Sequence, residues 1–236
     1  MKSIIFYIKL FFLTKSLDKY YNKAIKLEEQ QKLEEKNKIV NSAMKHWAKN
    51  VIEYSGSTIE INGKENIPEN ESFLIVPNHE SMFDVPAIML SFEKLISFVT
   101  KTENNKIPFV SKWLKLSDSI SINRSSAREA VKNMNKGIKQ MQDGTSLVIF
   151  AEGTRTIDGN LGEFKAGSFK FAKKANVKVL PIAIDGTMEI MKKGSMKINS
   201  SKIKVNILKP IDSTNFNTKE LAEMTKQNIQ KSLNLK

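Results

Sequence analysis

The chain has 236 residues, enough for one domain of ordinary size with an appendage, and 40% hydrophobic against 27% charged residues mark it as globular rather than disordered or polytopic. Lys and Arg outnumber Asp and Glu 38 to 25, a net +13 that favours anionic partners: nucleic acid, an anionic membrane surface or phosphate-bearing substrates. The absence of Cys excludes disulfides, a thiolate nucleophile, zinc ribbons and Cys-ligated iron–sulfur clusters, and leaves His46 and His79 as the two candidates for imidazole chemistry.

Residues 4–13 (IIFYIKLFFL) are the most apolar run. As a helix this run is about 15 Å long, half of a ~30 Å hydrocarbon core, so it does not span a bilayer alone. The following Thr14-Lys15-Ser16-Leu17-Asp18 is a poor cleavage site for a signal peptide. Leu17, Tyr20, Tyr21, Ala24 and Ile25 then recur at helical spacing, and after a charged stretch over 28–38 a second stripe runs through Val40, Ala43, Met44, Trp47, Ala48 and Val51. Residues 1–50 hold 11 Lys against 5 Asp and Glu. Apolar faces flanked by lysines suit helices lying on an anionic membrane; the alternative is that the stripes pack on the rest of the protein, and a helix can do both with one face for each. On the membrane reading, deleting about the first 50 residues is expected to weaken vesicle binding more than it disturbs the remainder.

From about residue 51 the pattern is strand-like. β-rich runs fall at 57–61, 72–76, 95–100, 119–122, 147–150, 177–184 and 203–208, with helical stretches at 127–142, 168–174 and 219–233. Strands separated by helices predict an α/β fold, one catalytic-sized domain over 51–236 behind a helical segment over 1–50.

Three clusters follow predicted strands, where α/β folds place their sites. In the first, Asn78 to Asp84, His79 and Asp84 meet if the chain turns into a helix between them. The carboxylate then fixes the ring tautomer and leaves the other nitrogen as a base, although an isolated His–Asp pair also serves as a structural hydrogen bond. In the second, Phe150-Ala151-Glu152-Gly153-Thr154-Arg155-Thr156, Gly153 permits close backbone approach to a ligand and Arg155 offers a planar fork matched to phosphate. Glu152 there can cap backbone amides or orient Arg155. The third comprises Lys101 and Arg124, each just after a predicted strand.

Together, Asn78-His79-x-Ser81-x-x-Asp84 resembles the first signature block of the glycerolipid acyltransferases, the 1-acylglycerol-3-phosphate acyltransferase family. Phe150-x-Glu152-Gly153-Thr154-Arg155, continuing through Gly159 into Phe164-Lys165-x-Gly167, is similar to the third block. Lys101-Thr102-Glu103 through Ile107-Pro108-Phe109-Val110 to Ile122-Asn123-Arg124 resembles the second, and Val179-Leu180-Pro181-Ile182 the fourth, over roughly residues 72–185. The sequence departs from the family pattern at Ala151, where Pro is usual, and at Ser111 and Asp118, where Gly is frequent. A carboxylate at Asp118 among substrate-binding cations is unexpected.

The resemblance implies a single acyltransferase-like domain, a central, mostly parallel or mixed sheet flanked by helices. It implies transfer of a fatty acyl group from acyl-CoA or acyl carrier protein to the free hydroxyl of a lysophospholipid, 1-acyl-glycerol-3-phosphate, giving phosphatidate. His79 is then the base and Asp84 its partner, with Lys101, Arg124, Glu152, Gly153, Thr154 and Arg155 forming the acceptor site. No cofactor and no metal are expected. The protein is expected to sit peripherally on the cytoplasmic face of the cell membrane. Alternatives are the same chemistry on glycerol-3-phosphate or another lysophospholipid, a non-catalytic lipid-binding protein, and a basic nucleic-acid-binding protein. The last explains the charge alone, since no base-reading motif is present.

Overall fold

A computed structural model describes residues 1–123 and 125–235. Three helices come first: α1 (Lys2–Ser16), α2 (Asp18–Glu29) and α3 (Leu33–Ser55). The body follows as β1 (Thr58–Asn62), β2 (Phe73–Pro77), α4 (Asp84–Ser91), β3 (Ser97–Lys101), α5 (Pro108–Leu116), β4 (Ile120–Ile122), α6 (Ala127–Gln142), β5 (Leu147–Val148), α7 (Lys170–Ala175), β6 (Lys178–Asp185), α8 (Thr187–Ile190), β7 (Lys202–Ile207) and α9 (Thr218–Ser232). Side chains set several of these ends. Ser126 caps α6 by accepting from Glu129 N–H, Asn217 and Glu220 form a reciprocal box at the start of α9, and Pro108 occupies the first turn of α5.

Among the described residues the strands form one sheet in the order β1-β7-β6-β2-β5-β3-β4. Only β6 and β7 pair antiparallel; every other neighbouring pair is parallel. This is the expected α/β architecture, a mixed and mostly parallel sheet. Both faces are covered, so β2 reads as a continuous apolar run rather than an alternating one. Its pleat sends Phe73 and Ile75 into a core beneath α1, α3 and α4, and Leu74 and Val76 into a second core beneath α6, α7 and α9.

The N-terminal helices therefore form much of one layer of the domain. Phe6, Leu13, Leu17, Ala24, Val40, Ala43, Met44, Val51 and Ile52 are buried in the first core, and α3 runs continuously through position 50 to Ser55. Deleting the first 50 residues would strip that layer from the sheet. Both apolar stripes are packing surfaces, so truncation at residue 50 is expected to disturb the sheet domain as well as vesicle binding. What remains exposed is the opposite side of α1, where Ile4, Ile5, Ile8, Phe11 and Phe12 recur on one helical face. No helix among the described residues is long and apolar enough to cross a membrane.

Candidate active site

β2, β5, β3 and β4 lie side by side and run parallel, so the segments that follow them emerge at one sheet edge. The first of these carries the His–Asp pair. Asn78 anchors it by mimicking a strand residue: its amide donates to Ile184 C=O and accepts from Ile184 N–H, both at 2.8 Å. The chain then turns into α4, which begins at Asp84. His79 Nδ1 lies 2.7 Å from Asp84 Oδ2, which also accepts from Glu80 N–H at 2.8 Å and Ser81 N–H at 2.9 Å. Asp84 is wholly buried, and Thr187 donates to its other oxygen. With Nδ1 engaged, Nε2 is the ring nitrogen left for a substrate. The imidazole stacks on Phe150, ring centroids 3.9 Å apart.

The loop after β5 is tied to the backbone of His79 at both ends of the residue. Glu152 Oε1 accepts from His79 N–H at 2.7 Å, its Oε2 accepts from Gly162 N–H at 2.8 Å, and Thr156 N–H donates to His79 C=O at 2.8 Å. Burial raises the Glu152 carboxyl above the usual range despite the two amides. Glu152 thus lies behind the site as a backbone cap. Gly153 follows at φ 72°, a left-handed conformation that L side chains rarely adopt, and lets the loop turn back toward the sheet edge.

In front of His79 is a cleft of about 610 Å³. Lys101 at the end of β3 and Arg155, Gly153 and Thr154 from the loop after β5 line it. So do Lys165 and Lys193, which the sequence reading did not assign to the site. Val99, Ile122, Met134, Ile149 and Phe171 form its apolar wall. No Asp or Glu lines it among the described residues, so an anionic group entering the cleft meets several cations and no carboxylate. Lys193 Nζ donates to Thr154 Oγ1 at 3.0 Å and to Arg155 C=O at 3.1 Å, holding the loop that presents Arg155. Lys165 lies within the Phe164-Lys165-x-Gly167 motif, whereas no local pattern singles out Lys193 or Thr187. Arg124, also expected here, lies outside the described residues.

Of the departures from the family pattern, Ala151 lines this cleft, while Ser111 and Asp118 fall clear of it. Asp118 lies before the N-terminal end of β4, the opposite end from Ile122, and pairs with the buried Lys36 of α3 at 3.0 Å. Its φ of 52° explains why Gly suits the position and why Asp, tolerant of that region, can replace it. Ser111 is an ordinary helical residue of α5, its N–H bonded to Ile107 C=O at 2.8 Å. Ala151 is buried, and its C=O accepts from Lys165 N–H at 3.1 Å. His46 lies on α3 beside Asn50, outside the cleft lining.

An open α/β sheet thus carries a His–Asp pair at its strand ends, facing a cleft lined by cations and apolar side chains. Residues 58–185 match the family model described as Acyltransferase, and the chain belongs to that family. It is 34% identical over 193 residues to a chloroplast 1-acyl-sn-glycerol-3-phosphate acyltransferase of Arabidopsis thaliana, a match covering 81% of this chain and 53% of that protein. A 1-acyl-sn-glycerol-3-phosphate acyltransferase of Borreliella burgdorferi is 31% identical over 175 residues, covering 74% and 68% respectively. The crystal structure of the 1-acyl-sn-glycerophosphate acyltransferase from Thermotoga maritima superposes with a TM-score of 0.74 at 26% identity, covering 97% of this chain and 98% of that one. The chain spans about half the length of the two chloroplast relatives and the algal one that it matches.

Proposed function

We propose that this protein transfers a fatty acyl group from a thioester to the free hydroxyl of 1-acyl-glycerol-3-phosphate, forming phosphatidate. The observation that carries this reading is the buried Asp84 on His79 Nδ1 at the mouth of a cleft whose charged lining is cationic. His79 Nε2 removes the hydroxyl proton as the oxygen attacks the thioester carbonyl, and Asp84 holds the ring and stabilises its cation. The tetrahedral intermediate then expels the thiolate, which takes the proton from the imidazolium. No protein nucleophile is required because the donor is already activated, and no step calls for a cofactor. Lys101, Arg155, Lys165 and Lys193 supply the phosphate site, which fixes the hydroxyl relative to His79 and so serves rate as well as affinity. The apolar wall takes the acyl chain.

The acceptor and product reside in a bilayer. The exposed apolar side of α1, in a segment where Lys outnumbers acids 11 to 5, supports seating on an anionic membrane surface, on the cytoplasmic face where acyl-CoA and acyl carrier protein are available. The test is acyl transfer on anionic vesicles with acyl-CoA and acyl-carrier-protein donors offered to lysophosphatidate, glycerol-3-phosphate and lysophosphatidylcholine. Phosphatidate formed from lysophosphatidate alone, and reduced ~10²–10⁴-fold in His79→Ala, is the expected result. Transfer that survives His79→Ala would refute the mechanism, and transfer only to another acceptor would refute the substrate.

A further inference from the structure

Asp84 has a carboxyl neighbour that the transfer chemistry leaves unused. Glu80 follows His79 directly and is only 8% exposed. Its Oε2 lies 3.1 Å from Thr187 Oγ1, and the same hydroxyl contacts Asp84 Oδ1. Gly186, at φ 87° and with no room for a Cβ against Lys202 C=O, makes the turn after β6 from which Thr187 enters this position.

A threonine hydroxyl has one proton, so it can donate to only one of the two carboxyls it touches. The other must supply a proton of its own, or two oxygens face each other in a buried site with nothing between them. The remaining donors decide which carboxyl that is. Asp84 Oδ2 receives His79 Nδ1, Glu80 N–H and Ser81 N–H at 2.7 to 2.9 Å. Among the described residues, Glu80 receives, besides Thr187, only Met188 N–H at 3.4 Å and Asn78 Nδ2 at 3.5 Å, both long. We propose that Glu80 is a positioning residue: as a neutral carboxylic acid it donates to Thr187, Thr187 donates to Asp84, and this relay holds the carboxylate that aligns His79.

The surroundings agree. The titratable groups facing Glu80 are themselves acids, namely Asp84 on α4, Asp185 at the end of β6 and Glu189 on α8, and no Lys or Arg lines that small pocket among the described residues. Burial first, and the charge of Asp84 second, push the Glu80 carboxyl up to about 8. Loss of that proton removes the donor to Thr187 and sets a second negative charge against Asp84. The relay therefore opens toward alkaline pH.

His79 reports on this directly, because the chain has two histidines and His46 serves as an internal reference. In the full chain with labelled histidine, the His79 ring resonances are expected to show their own titration and a second inflection near pH 8, with none at that pH for His46. In Glu80→Gln the second inflection disappears while the midpoint of the imidazole itself stays in place. A midpoint lowered by Glu80→Gln would mean that a negative charge had been removed and that Glu80 was ionised all along, which overturns the proposal. So does the absence of a second inflection from the unaltered protein, a result that needs no variant to fold.

The effect on rate rests on the acyl-transfer reading. There, Glu80→Ala and Thr187→Val are expected to lower kcat about tenfold with KM little changed, the scale of one lost hydrogen bond, and Glu80→Gln to recover most of it, since its amide can still donate to Thr187. Equal losses in Glu80→Ala and Glu80→Gln would overturn the relay. If the unaltered protein transfers no acyl group, the acyl-transfer reading falls and the titration alone decides the relay.

Discussion

Replacing Ile8, Phe11 and Phe12 together by Ser should release the protein from anionic vesicles without unfolding it. These side chains lie on the outer side of α1, exposed by 53%, 56% and 66%, and none belongs to the buried core. Full burial of an Ile or Phe side chain is worth ~1.5–3 kcal/mol, so burying the exposed half of each contributes roughly 1 kcal/mol. Three together give about 3–4 kcal/mol, or roughly 10²–10³ in the partition constant. Vesicle co-sedimentation at fixed lipid measures that constant, and a thermal melt confirms that the domain stays folded. The Lys contribution is separable, since raising salt screens the attraction to the surface without touching the apolar term. If the triple variant stays folded and binds vesicles as tightly as the unaltered protein, this face does not seat the protein on the membrane.

Asp118→Ala removes the partner 3.0 Å from buried Lys36, leaves only Glu28 at 3.7 Å, and forces Ala to a φ of 52°. A loss of about 2 kcal/mol in chemical denaturation is expected, with the transfer rate of the folded protein intact, because Asp118 lies at the far end of β4 from the cleft. Glu80 bears on stability as well as positioning. Its folded value of about 8 against an ordinary 4.5 means that the native state binds a proton the unfolded chain has released, so its contribution is lost as pH rises across that window. Glu80→Gln should therefore stabilise progressively from pH 5 to pH 8, by up to about 5 kcal/mol. The same offset in melting temperature at both pH values would contradict this. Arg155→Ala should cost ~10–100-fold in kcat/KM toward a phosphate-bearing acceptor, with Arg155→Lys recovering part, measured by steady-state transfer. Gly137→Ala, although favoured by helix propensity, places a Cβ 2.7 Å from the Phe171 ring between α6 and the sheet, and should lower the melting temperature by several degrees, equivalent to roughly 1–2 kcal/mol.

Seven runs of β-rich sequence correspond to the seven described strands, because buried parallel strands need short apolar segments bounded by turns, and that requirement is local. Local pattern failed where pairing or length decided. The run at 147–150 keeps only Leu147 and Val148 as strand, since Phe150 already belongs to the turn that stacks on His79. The helices α4 and α5 are short, and α5 lies inside a stretch legible as a motif rather than a period. The site divided the same way. His79, Asp84 and Arg155 stand in compact motifs, whereas Thr187 and Lys193 reach the site from 103 and 38 residues away through tertiary contacts that no spacing encodes. Exposure was likewise hidden: both stripes of the N-terminal segment are packing faces, and the face left open is one side of the run at 4–13, apolar but for Lys9, where periodicity gives no direction.

The placement of α1 bears on how a surface-seated enzyme would meet its substrate. Its inner side packs Phe6 on Phe83, ring centroids 5.9 Å apart, and Phe83 immediately precedes Asp84. Tyr7 donates to Met196 C=O at 3.1 Å and Ser3 Oγ accepts from Ile198 N–H at 3.0 Å, in the segment that also carries Lys193 to the loop of Arg155. One helix thus touches both the turn that carries His79 and Asp84 and the segment bracing the loop of Arg155, while its other side is exposed and apolar. Seating that side in a bilayer would set the height of His79 and Arg155 above the hydrocarbon together. A lysophospholipid held by its own acyl chain presents its phosphate and hydroxyl at a fixed height as well, so the reacting groups would be aligned in one dimension before the cleft binds anything. Variants of the outer face should consequently raise KM for a vesicle-borne acceptor far more than for a short-chain, water-soluble one. Equal losses on both acceptors would mean that α1 matters only as a packing element.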